Sequence, residues 1–384
     1  MLILLKGVLE TLDYFVDSMA AGRDDAIVLD KSDPGFYKRM GELIPYMQGD
    51  VTVVIFNNVG KQLELSDGRN VWEANGATVY NFLVDHPVNY MQSLDVEALN
   101  GEVFLVIDRR HKLFIDRYFP KCKSYFMPHG GTRKYDSIPW DERSIPVLYC
   151  GSCQKEIESV PIIESMEEWG PALYDFVAEK MMLESYPEVG AVVRSFLEKE
   201  NIELAPEIER EIILMAHATV ERMVRRSFKL QTIASLAEAG IPVDIYGENW
   251  EEVAELYPGL IRIHERVSSD ECVRLIGDAK ISLNLCTFYG DGSHERVYIA
   301  MLQKAVCISE KSMYFEEKFE HGREIVYLDY SMPDVMVDDI KFLLSHPAEA
   351  VKITENAYIR AAHSTWGDRL DAIVRGDFDG MAMV

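Results

Sequence analysis

The sequence predicts an α/β protein of two domains, and three observations carry that prediction. Short apolar runs alternate with amphipathic stretches over most of the chain, the pattern of strand–helix–strand units. The stretch VTVVIFN (Val51–Asn57) is continuous and rich in β-branched residues, as a strand covered on both faces of a parallel sheet requires. A polar, proline-bearing segment, TRKYDSIPWDERSIP (Thr132–Pro146), interrupts the alternation and reads as a linker.

Taken in order, MLILLKGVL reads as a first strand and turn. It is too short to span a bilayer and runs directly into Glu10 and Asp13. Strands are then expected at Ala26–Asp30, Val51–Asn57, Thr78–Val84, Glu102–Ile107 and Lys123–Met127, with a helix at Phe36–Ile44 and a polar turn around Ser66–Arg69. After the break a new strand starts at Val147, in VLYCGS. The chain is then helical in period to about Gly240. Strands return at Pro242–Tyr246, Ile261–His264, Ile281–Leu285, Ala305–Ser309 and Glu324–Leu328, and periodic helices follow. In open parallel sheets ligands sit beyond the carboxyl ends of the strands, so function is sought in the loops that follow them and in a crevice between the domains.

Composition narrows the partners. The 384 residues carry a formal net charge of −25 and are 48% hydrophobic. Such a field repels nucleic acid and anionic membrane surfaces, so an anionic ligand needs a local basic pocket. No apolar run is long enough for a membrane helix. Six cysteines in a chain this size make no disulfide framework. Cys150 and Cys153 form a CxxC with no second pair or nearby His to complete a metal site, so a reducing cytoplasm and no metal are expected.

The strongest constellation is FYGDGSHERVYIAMLQKAV, residues 288–306, which follows the strand ISLNL with its Asn284. Gly290 and Gly292 allow a tight turn around Asp291, and Ser293 is the expected N-cap of a helix over Glu295–Gln303. A diphosphate there would meet free backbone N–H groups, the positive end of the helix dipole and the Arg296 fork. His294 could hydrogen-bond a phosphate or sugar oxygen. The same pattern also describes an ordinary capped connection. A second loop, Tyr246, Gly247, Glu248, Asn249 and Trp250, offers a glycine for close approach and an aromatic with an amide for a base or sugar, or simply a packed capping turn. A third, Gly151, Ser152, Cys153, Gln154 and Lys155, could add a positive charge. In the first half FNNVG (Phe56–Gly60, with Asn57 and Asn58), LVDHP (Leu83–Pro87) and MPHGG (Met127–Gly131, with Gly130) end strands. Asp85, His86 and His129 are their acid–base or hydroxyl-binding candidates. GxGxxG, the P-loop and GxSxG are absent. Asp377-Phe378-Asp379 matches a DxD metal motif only literally and follows no strand.

FNNVG followed by LVDHP resembles the N-terminal domain of bacterial CgeB-like, spore-maturation-type glycosyltransferases. RRSFKLQTIASLAEAGIPVDIYGENW, AKISLNL, GSHERVYIAML, FEHGREIVYL and HSTWGDRLDAI resemble, in order, the glycosyltransferase group 1 C-terminal domain of that family. The resemblance implies a GT-B fold: two Rossmann-like, doubly wound domains facing across a cleft. It implies an acceptor-side domain over 1–143, a donor domain over 144–370 with a helical segment at 156–240, and a tail at 371–384. It also implies a nucleotide-sugar co-substrate (a UDP- or GDP-sugar), no further cofactor, and a protein, glycan or small-molecule acceptor. The Gly290–Arg296 turn becomes the diphosphate cradle, with Gly247–Trp250 and Arg266 nearer the nucleoside. His129, Asp85, His294 and Arg296 become the residues expected at the chemistry, without a metal and with retention of anomeric configuration. The chain departs from the family at the paired glutamates: Asp291 stands at the first, Ile299 at the second, which grips the ribose, and Lys304 replaces a later glycine. A catalytically silent GT-B binding protein and a nucleotide-sugar epimerase are the alternatives.

Overall fold

The structure is a computed structural model that describes residues 1–155, 169–286 and 289–378. Two compact units emerge: Met1–Thr132 together with the C-terminal stretch from His363, and Arg133–Ala362.

The first unit holds six parallel strands, β1 (Leu2–Lys6), β2 (Ala26–Asp30), β3 (Thr52–Phe56), β4 (Thr78–Leu83), β5 (Glu102–Val106) and β6 (Lys123–Phe126), in the order β2-β1-β3-β4-β5-β6. The β-branched run lies centrally: Val53, Val54, Ile55 and Phe56 of β3 are fully buried, so both sheet faces are covered. The helix Glu10–Ala20 covers one face through Leu12, Phe15, Val16 and Met19. Beside it packs the helix Trp366–Arg375. This helix starts in a reciprocal capping box between Thr365 and Asp368 and ends at Gly376 in the left-handed conformation. Trp366 stacks on Phe15 at 4.6 Å between ring centroids and meets Phe56 and Phe82 edge-on. Residues 363–378 therefore do not divide between a donor domain ending at 370 and a tail. An amphipathic helix carrying a buried tryptophan completes the first core. Residues 379–384 of the expected tail, with Asp379, lie outside the described residues.

The second unit has six parallel strands, β7 (Ile145–Cys150), β8 (Val243–Tyr246), β9 (Ile261–His264), β10 (Ala279–Asn284), β11 (Val306–Glu310) and β12 (Val326–Leu328), ordered β12-β11-β10-β7-β8-β9. Read from β9, this is the doubly wound 3-2-1-4-5-6 order, whose switch point lies between β7 and β10. One core joins Val147, Tyr149, Val243, Ile245, Ile281, Leu283, Val306 and Ile308 to the flanking helices. The helical segment contains Gly170–Leu183, Val189–Lys199 and Pro206–Ala216, the last continuing through a π turn at His217–Glu221 into Arg222–Glu238. Positions 156–168 of that expected segment lie outside the described residues.

Candidate functional site

At the switch point of the second sheet, β7 ends in Tyr149 and Cys150, followed by Gly151, and β10 ends in Asn284. Tyr149 is 0% exposed, and two cations approach its ring: Lys229 Nζ at 5.9 Å and the Arg296 guanidinium at 5.6 Å from the centroid. Lys229 comes from the buried face of the helix Arg222–Glu238 and donates to the Ser152 carbonyl at 3.0 Å. Arg296 comes from the first turn of the helix Glu295–Leu302, and its Nη1 is enclosed without a hydrogen-bond partner. Burial works against the Arg296 charge, but Tyr149, Glu295 and Cys286 outweigh it, so the guanidinium stays protonated. A buried guanidinium nitrogen without an acceptor is uncommon in native structures.

The helix start is built differently from the expectation. The N-cap is His294, not Ser293: His294 Nδ1 accepts the Arg296 backbone N–H at 3.2 Å, while Ser293 is fully buried. His294 Nε2 lies 3.4 Å from Arg296 Nη2, and its Nδ1 also lies 3.2 Å from Glu295 Oε2. The turn is anchored from behind, since Gly290 O accepts Met313 N–H at 2.9 Å and Gly292 O accepts Ser312 Oγ at 2.8 Å. Asp291 and Glu295 are half-buried beside it. Asn284 gives its amide hydrogen to Ser309 Oγ at 2.9 Å and leaves Oδ1 unpaired. At the later glycine position of the family pattern, Lys304 takes up the left-handed conformation itself, with φ +55°.

The loops after β7 and β8 are committed to each other. Cys153 N–H donates to Glu248 O, Glu248 N–H to Ser152 Oγ, Asn249 Nδ2 to Cys153 O, and Trp250 Nε1 to Gly151 O, all between 2.9 and 3.0 Å. Trp250 is 0% exposed and meets Tyr149 edge-on. Trp250, Asn249 and Ser152 therefore lock two loops together rather than present a face to a base or sugar. A Cβ at Gly247 would lie 2.3 Å from the Gly151 carbonyl oxygen, so that glycine serves the close approach of loop to loop. Tyr246 stacks on His264 at 4.3 Å, toward the edge strand. Arg266 is exposed beyond that edge strand, β9, away from the switch point. Lys155 is exposed next to residues outside the description. The second cation at the switch point is Lys229, which the sequence reading passed over.

In the first unit, Asp85 is exposed and accepts from Asn57 Nδ2 at 3.2 Å and Tyr90 Oη at 2.8 Å. The other candidates there serve the fold. His86 caps the turn Pro87–Tyr90 through Nδ1 and lies edge-on to His111. His129 is 2% exposed, with its ring against Trp366 and its carbonyl taking Arg369 Nε. Gly130 admits the Trp366 backbone, 2.4 Å from where a Cβ would stand. Asn58 belongs to a buried network with Asn81 and Ser93 that surrounds the Lys61–Glu102 ion pair, 2.8 Å long and 1% exposed on both sides.

Two six-stranded parallel sheets with helices on their faces, one in the 3-2-1-4-5-6 order, decide the architecture. The fold is GT-B. Residues 225–375 match a family model described as glycosyl transferase-like. No curated protein sequence matches the chain. Among solved structures, sucrose-phosphate synthase from Thermosynechococcus elongatus is 10% identical over 100% of both chains, with a TM-score of 0.54. Anabaena HepE in complex with UDP is 10% identical over 98% of this chain and 99% of its own, with a TM-score of 0.53. TarM is 11% identical over 86% of this chain, with a TM-score of 0.45. The chain spans 57% of the length of TarM and 60% of that of the pneumococcal O-GlcNAc transferase GtfA.

Proposed function

We propose that this GT-B chain transfers a sugar from a nucleotide-diphosphate donor, and that Lys229, Arg296 and the start of the helix Glu295–Leu302 receive the diphosphate. The observation that carries the reading is the convergence of two shielded cations on the Tyr149 ring at the sheet switch point, one of them with an unsatisfied donor. In a chain of net charge −25, positive charge gathered in one place supports reading it as a site for an anion. In the transfer, the bond from the anomeric carbon to the diphosphate oxygen breaks and its electron pair leaves with the phosphate. The acceptor hydroxyl bonds to that carbon and its proton passes to the departing phosphate oxygen. Preorganised cations and the helix dipole stabilise the leaving charge where it develops. That role requires no metal ion, and turnover is expected to survive a chelator. Asp85, oriented by Asn57 and Tyr90, is the acceptor-side candidate, with a protein, glycan or small molecule as acceptor and retention as the stereochemical course.

Arg296→Lys keeps the charge and removes the fork, and Lys229→Ala removes the second cation. Each should lower nucleotide release from a panel of UDP- and GDP-sugars by roughly 100-fold or more, while thermal unfolding stays near wild type. Wild-type turnover in both variants removes this assignment. A second reading, a protein that binds the donor without transferring the sugar, draws on Ile299: it is 6% exposed and packed in the core, so no carboxylate reaches the site from that turn. Calorimetric binding of a nucleotide-sugar with no nucleotide released would favour it.

A further inference from the structure

Glu310, the last residue of β11, has both carboxylate oxygens shielded from solvent, and neither completes a hydrogen bond of normal geometry. An acceptor left in that state is costly, and native chains that keep one generally have an occupant for it. Across the same space the Tyr330 hydroxyl, just after β12, is also enclosed and unpaired. Phe228 stacks flat on Tyr330, 4.3 Å between centroids and 5° between planes, and makes an apolar wall. These groups line a pocket of about 210 Å³ that extends to Gly290 in the turn before the cationic helix start. It is smaller than the roughly 300–1,000 Å³ usual for a whole drug-sized ligand, and so suits a single ring.

The chemistry selects the occupant. A phosphate would meet the Glu310 carboxylate and be repelled. A metal cation would meet Glu310 in the field of Arg296 and Lys229, both of which act on it, and among the described residues no three His, Cys, Asp or Glu side chains gather to ligate one. A neutral ring bearing hydroxyls satisfies each group: its O–H donates to Glu310, and an oxygen accepts from Tyr330. We infer that Glu310 and Tyr330 form the subsite for a hydroxylated sugar ring joined to the diphosphate held by Lys229 and Arg296. This rests on the donor reading above and extends it to the recognition of the neutral part of the donor. Burial pushes the Glu310 carboxyl up to about 7, against the opposing pull of nearby backbone amides, Arg296 and Lys229. A group poised there can serve its partner as acceptor or donor. The ring is either the ribose of the nucleotide or the sugar to be transferred.

Calorimetry on the full chain and on Glu310→Gln separates these sources, with inorganic pyrophosphate, UDP, GDP, their 2′,3′-dideoxy counterparts and the matching nucleotide-sugars as probes. Pyrophosphate should bind the variant no more weakly than wild type. A hydroxylated probe should bind the variant roughly 10- to 100-fold more weakly. If the ring is ribose, the nucleoside diphosphate already shows that loss, and its dideoxy form binds wild type as weakly as it binds the variant. If the ring is the transferred sugar, the loss appears only with the nucleotide-sugar. Tyr330→Phe should give a smaller loss with the same selectivity. Equal binding of every probe by wild type and both variants overturns the subsite and leaves the diphosphate reading standing. A wild type that binds neither pyrophosphate nor any nucleotide overturns both.

Discussion

Arg296 and Glu310 bring opposite charges into one shielded volume, and the carboxyl carries a pH signature. Burial pushes that carboxyl up to about 7, from the ordinary value of 4.5. A raised acid favours the folded state while protonated, so its contribution is complete below about pH 4.5 and is lost as pH rises toward 7. The groups facing it are Arg296 on the preceding helix Glu295–Leu302, Lys229 on the helix Arg222–Glu238, Tyr330 after β12 and the Cys286 amide after β10. Glu310→Gln should therefore match wild type near pH 4.5 and exceed its stability by about 3 kcal/mol at pH 8. Denaturant unfolding across that range checks this, and parallel pH profiles for the two proteins would contradict it. Single residues were also where the sequence was least legible. Histidines near strand ends suggested acid–base chemistry, yet His86 caps a turn and His129 packs among aromatic rings. Lys229 did leave a signal: it stands on the same helical face as Ile233 and Leu236, a lysine in an apolar stripe. Glu310 left less, a lone charge closing the run AVCIS. Both gain meaning only from tertiary convergence on Tyr149 and Tyr330.

At the scale of elements, each strand of both sheets was visible in the apolar periodicity, because a parallel strand buried on both faces must be a short continuous run. Boundaries moved by a residue or two: β12 begins at Val326 rather than Glu324, and β10 at Ala279 rather than Ile281. The helix after β10 was legible from its polar start, though not which residue capped it, because Ser and His can both accept at that position. From the sequence the two interlocked loops stay open between ligand contacts and packed capping turns, because a glycine, an amide and an aromatic look the same whether they meet a sugar or each other. Their mutual role can be measured. Gly247→Ala forces a methyl against the Gly151 backbone, which cannot yield as a side-chain end would. It should cost about 2 kcal/mol or more in denaturant unfolding, together with lost donor binding, since the same loop carries the Ser152 carbonyl that holds Lys229. A stability equal to wild type would show that the loops can part.

At the scale of the molecule, the alternation of strands and helices and the polar break gave two α/β units, while the exchange of the C-terminal helix into the first unit was not legible. A periodic helix shows which face it buries, not which sheet receives it. Trp366→Ala should remove about 3–5 kcal/mol from the first unit, read as an earlier unfolding transition, with pyrophosphate affinity at the second unit's cations unchanged. One transition at the wild-type midpoint would show that the helix is dispensable. Among the described residues no helix is long and apolar enough to cross a membrane.

The position of Trp366 also sets an order of assembly. During synthesis the ribosome delivers Phe15, Phe56 and Phe82 early, but the ring that covers them only after the whole of Arg133–Ala362 has emerged. The first unit's aromatic face must thus wait, uncovered, until the helix Trp366–Arg375 has been made.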